Sequence, residues 1–109
     1  MNPEIYAHLH AGDYDSAHAL LARGVPAETA RNLAELDLDD RWEVFQLIEG
    51  KEALAVFLHM DDEEQANLLE TMGLDEARKL ASHLPTYTLA RTHELLPRDY
   101  AAAILDSLS

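Results

Sequence analysis

The feature that most constrains the fold of this chain is an apolar residue that returns every twelve positions. This first column consists of Leu36, Ile48, Met60, Met72, Leu84, Leu96 and Leu108. A second column lies three residues earlier and consists of Leu33, Phe45, Phe57, Leu69, Ala81, His93 and Leu105. Apolar residues make up 48% of the chain, which is too few to fill both columns readily by chance. We therefore interpret the pattern as an internal repeat.

Each repeat is predicted to be a short helix followed by a tight turn. The residue after the first column is a helix breaker or a helix cap: Asp37, Glu49, Asp61, Gly73, Pro85 and Pro97. Aspartate caps the free N–H groups at a helix start, and proline is tolerated there because it has no N–H to satisfy. β-Branched residues are few and scattered, so no strand is predicted.

The predicted fold is all-α, a superhelical solenoid of about nine short helices in a single domain over residues 1–109. Two leading helices are expected at about residues 3–11 and 14–23, within the segment 1–24, and seven twelve-residue repeats fill residues 25–108. A helix of two or three turns is marginal in isolation. Stacking on neighbouring helices is therefore expected to stabilise every unit.

Composition excludes several classes of function. A net charge of −13 opposes binding to nucleic acid or to an anionic membrane, and it favours cations and basic partners. The chain has no cysteine, which excludes disulfides, thiolate catalysis and cysteine-based zinc sites. Neither a signal peptide nor an apolar run of roughly 20 residues is present, so we expect a cytoplasmic protein without membrane insertion. No nucleophile elbow, phosphate-binding loop or dinucleotide motif is found, and an enzyme is not expected.

Two acidic clusters are the candidate sites for weak Mg²⁺ binding. They contain Asp39, Asp40 and Glu43 in the first cluster, and Asp61, Asp62, Glu63 and Glu64 in the second. Successive helical positions diverge by about 100°, so four consecutive carboxylates do not converge on one ion from a regular helix. Helix capping is the main interpretation of the second cluster, and a hard-cation site and a charged contact face are the alternatives.

Three residues are the candidates for partner contact: Trp42, Tyr87 and Arg91. Trp42, Phe45 and Phe57 lie at repeat positions that should pack between helices, so core packing is the main interpretation for all three. Trp42 is the one aromatic residue considered as a partial surface anchor. Tyr87 and Arg91 share one face of a helix at a spacing of i and i+4. His93 falls in the second column, and an interior or half-buried position is therefore predicted for it.

The segment from "GDYDSAHALLARGVPAETARNLAEL" to "DDEEQANLLETM" resembles the cytoplasmic N-terminal domain of MgtE-type magnesium transporters. The resemblance runs from about Gly12 to Leu108, and it implies a superhelix of short helices that regulates a transporter. In that family the domain precedes paired CBS domains and a membrane pore. The resemblance therefore implies these domains as partners, with magnesium favouring the packed, closed state.

The acidic positions that bind metal in that family differ in this chain. Its "D-D-x-A-D" element falls without gaps on the stretch "YTLAR", which ends at Arg91, and the acid of its "AAEVL" helix falls on Ala55. None of these residues is an acid. One hypothesis is that Arg91 supplies a fixed positive charge where the relatives recruit magnesium, and the alternative is that this chain does not use that face.

A protein-interaction adaptor without a metal role, similar to the superhelical region of a flagellar motor switch protein, is the alternative function. The last segment, "LLPRDYAAAILDSLS", reads as a completed repeat without a polar capping helix. An exposed apolar side is therefore expected there, covered either by following sequence or by a second copy in a homodimer.

Overall fold

The structure is a computed structural model that describes residues 3–21, 24–48, 50–106 and 108. The described part of the chain contains helices and no strand, which confirms the predicted all-α class. The helices are α1 (Pro3–His10), α2 (Tyr14–Leu21), α3 (Pro26–Ala34), α4 (Leu38–Phe45), α5 (Gly50–Leu58), α6 (Asp62–Met72), α7 (Leu74–Ala81), α8 (Thr86–Leu95) and α9 (Arg98–Asp106).

The helix starts are spaced with complete regularity from α2 onward. Each helix begins twelve residues after the one before it, at Tyr14, Pro26, Leu38, Gly50, Asp62, Leu74, Thr86 and Arg98. The spacing therefore includes α2, which the apolar columns alone had set apart from the repeats.

The two apolar columns meet in a repeated turn after the helices. The backbone N–H of the first-column residue donates to the carbonyl of the second-column residue three positions earlier. This bond is 3.0–3.1 Å long at Leu36, Ile48, Met60, Leu84 and Leu108. First-column side chains from Leu36 to Leu96 are buried, whereas Leu108 is 36% exposed. The first-column residue therefore ends one helix through its backbone N–H and contributes its apolar side chain to the core.

Where the structure describes it, the residue that follows the turn directly precedes the next helix, as predicted, and Glu49 lies outside the described residues. Asp37 and Asp61 adopt extended conformations, and their side chains accept hydrogen bonds from the N–H groups of Asp40 (2.9 Å) and Glu64 (2.8 Å). Gly73 is the single residue between α6 and α7, and its φ of 87° favours glycine. Pro85 occupies the N-cap of α8.

The helices group into two units, Met1–Met60 and Asp61–Ser109. In the first unit α1 packs on α2, α2 on α4, and α3 on both α4 and α5. Its core contains Leu33, Phe45 and Phe57, with the two phenyl rings edge to face at 6.5 Å. The core positions predicted for Phe45 and Phe57 are thus confirmed.

In the second unit α6 packs on both α7 and α8, and α7 packs on α9. Leu68, Leu69, Ala77 and Ala81 are at most 1% exposed and form the centre of this core. Both units therefore pair a helix with the second helix after it. The superhelical stacking predicted from the sequence stays a prediction.

The prediction for His93 is wrong, because the structure leaves this second-column residue exposed on α8. Its counterparts Leu69 and Ala81 lie on α6 and α7, which are packed against α8 and α9 respectively. No described helix lies two places beyond α8 in the chain. A column position is buried only where another element covers it.

Two polar side chains, which lie outside the apolar columns, join helices by hydrogen bonds to backbone carbonyls. Arg41 is 8% exposed, and its guanidinium donates to the carbonyl oxygens of Leu33 (3.0 Å), Ala34 (3.2 Å) and Leu36 (3.0 Å). These carbonyls lie at the C-terminal end of α3, where the helix leaves acceptors without intrahelical donors. A positive charge is also favoured there by the helix dipole.

The second such side chain is Tyr100 of α9, whose hydroxyl donates to the carbonyl of Leu69 in α6. Burial raises the pKa of Tyr100 above its ordinary value of 10.0, and the negative charge of Glu70 raises it further. Both causes disfavour the phenolate, which could no longer donate this hydrogen bond.

We predict that Arg41→Lys lowers the free energy of unfolding by about 1–3 kcal/mol, because lysine keeps the charge but cannot reach three carbonyls with a planar fork. Urea denaturation followed by circular dichroism measures this change. Arg31→Lys, an exposed position on α3, is the matched control and should change stability by less than about 0.5 kcal/mol. Equal effects of the two substitutions would contradict the capping role.

We also predict that Tyr100 titrates above pH 10.0. A raised folded-state pKa gives a stabilising contribution that is fully present below the unfolded-state pKa and is lost as the pH rises through the folded-state value. The difference in absorbance at 295 nm between the wild type and Tyr100→Phe isolates this phenol. A midpoint at or below 10.0 would contradict the buried contact, and Glu70→Gln should lower the midpoint only in part.

Candidate cation and partner-contact site

The acidic start of α6 serves two separate purposes. Asp61 is the N-cap, and its carboxylate accepts the N–H of Glu64. The capping interpretation is therefore confirmed for Asp61. Glu63 is exposed and Glu64 half-buried in the first turn, where negative charge is favoured by the helix dipole.

Asp62 is directed to a different partner, Arg91 of α8. Its Oδ2 atom lies 2.6 Å from Nη2 and 2.8 Å from Nε of the guanidinium. The two residues are 29 positions apart in sequence, so this ion pair joins α6 to α8. The side chains are 38% and 61% exposed respectively, and water and salt therefore screen the interaction.

The acidic cluster of α4 lies in the first unit and is built in the same way as that of α6. Asp37 caps the helix through the N–H of Asp40, Asp39 and Glu43 are exposed, and Asp40 is half-buried. Among the residues that the structure describes, no three histidine or carboxylate side chains come together as a metal site would require. The weak magnesium sites at both clusters stay predictions.

The three candidate contact residues have different surroundings. Trp42 is half-buried and stacks on Phe45, with the ring centroids 6.2 Å apart. Tyr87 is 66% exposed, and Arg91 is engaged with Asp62. Of the two aromatic candidates, Tyr87 is therefore the more exposed, while Trp42 contributes to the aromatic core. Their role in partner contact stays a prediction.

Sequence reasoning missed the long-range polar contacts. The sequence did not identify Asp62 as the partner of Arg91, and it did not predict the hydrogen bonds made by Arg41 and Tyr100. Arg78 of α7 likewise donates from Nε to the carbonyl of Ala103 in α9, at 3.2 Å. The burial of Arg41 could have been predicted from the repeat. Multiples of twelve residues separate it from Ala17, Ala77 and Ala101, which are all buried.

The fold and the acidic caps together define a domain built from short helical repeats with a negatively charged surface. The family model of the MgtE intracellular N domain matches residues 25–109. The chain therefore belongs to the family of the MgtE intracellular N domain. The match begins at Val25, the N-cap of α3. The resemblance described above begins at about Gly12, so its part before residue 25 lies outside the matched range.

The family is one of magnesium-transporter domains and is not an enzyme family. No curated protein and no solved structure gives a significant match to this chain. None of the helices in the described part of the chain has the length and apolarity needed to cross a lipid bilayer.

The residues that the resemblance places at the family's acidic positions include no carboxylate. Ala55 and Tyr87 offer no carboxylate, and Arg91 places a guanidinium against Asp62. Magnesium is bound through oxygen ligands, usually carboxylates. Asp62 is instead paired with the positive charge of Arg91.

We predict that the Asp62–Arg91 pair contributes about 0.2–1 kcal/mol to the stability of the second unit, as expected for a partly exposed pair. A double-mutant cycle with Asp62→Asn and Arg91→Gln, measured by urea denaturation, gives this coupling energy. The coupling should fall in 1 M salt because exposed charges are screened. A coupling of zero at low salt would show that the contact is not maintained in solution.

Proposed function

We propose that the chain is the cytoplasmic regulatory N-domain of a magnesium transporter, which acts by packing against neighbouring CBS domains in a cation-dependent manner. The observation that carries this proposal is the family match over residues 25–109 in a chain with a net charge of −13. Acidic surfaces that approach each other repel, and cations relieve that repulsion.

The gating follows from linkage between cation binding and packing. Cations that accumulate where two acidic surfaces meet bind the packed arrangement more strongly than the separated one. A rise in cation concentration therefore favours the packed, closed state, and packing in turn strengthens cation binding by the same factor.

The cation response of this chain differs from that of a domain with a built magnesium site. Arg91 supplies a fixed positive charge to Asp62, and this contact favours the first of the two interpretations of Arg91. We infer that cations act on this domain through diffuse attraction to the acidic clusters on α4 and α6. Such an interaction is weak, and monovalent salt competes with it.

Titration of the chain with magnesium, followed at the backbone amides by NMR, tests the diffuse response. Gradual shifts without saturation are expected at residues 37–43 and 61–64, and no saturable shift is expected at residues 85–92. Saturable shifts at residues 85–92 would show a specific site and overturn this part of the proposal. The gene sequence around this domain tests the assignment itself, because CBS domains and membrane helices are expected to follow.

We predict that Arg91→Glu creates a saturable magnesium response, in contrast to the gradual response expected of the wild type. The substitution places two carboxylates across α6 and α8, where a divalent ion can bridge them. At a magnesium concentration ten times the resulting Kd, the stabilisation would be about 1.4 kcal/mol. Thermal unfolding with and without magnesium measures this stabilisation.

The matched control for this prediction is Arg98→Glu, which makes the same change of charge at the exposed first residue of α9. A general charge effect would make both variants respond equally to magnesium. That outcome would contradict the inference that Arg91 occupies a cation position beside Asp62.

A further inference from the structure

We draw no further inference here: the strongest candidate, the side-chain pair of His8 in α1 and Asp13 just before α2, is partly exposed at a helix start, where Asp13 already accepts the N–H of Ser16, and no third histidine or carboxylate in the described part of the chain joins the pair to make a metal site.

Discussion

The structure depends on the packing of helices that are too short to be stable by themselves. The described helices span eight to eleven residues, below the length at which an isolated helix forms in water. Burial of the apolar columns, with Phe57, Leu69 and Ala81 at most 1% exposed, therefore stabilises secondary and tertiary structure together. The turn that ends a helix also places a side chain in the core, so local and long-range structure form as one.

The helix boundaries could be predicted because interactions between residues close in sequence determine them. Aspartate and glycine after the first column fix where α4, α6 and α7 begin, and the columns predict which side chains are buried. The prediction failed at His93 because burial also depends on which helix lies above a position. The prediction did not include α2 among the repeats. The residue at its first-column position is Gly24, which contributes no apolar side chain to the column.

The contacts of the candidate site could be predicted from the sequence only in part. The Asp62–Arg91 pair joins residues 29 positions apart, and no periodic signal connects them. The positions of Asp37 and Asp61 could be predicted because an N-cap bonds to residues three positions away. The proposed diffuse cation response rests on this pair, because Arg91 already supplies a positive charge to Asp62.

The regular spacing of the helix starts has a consequence for how this sequence can change over time. Inserting or deleting one residue within α6 would rotate the rest of that helix by about 100° and turn its core side chains toward water. Gain or loss of a complete block of twelve residues would leave every remaining side chain facing as before. Length variation among natural sequences of this type should therefore be concentrated in multiples of twelve residues, with shorter differences confined to the ends.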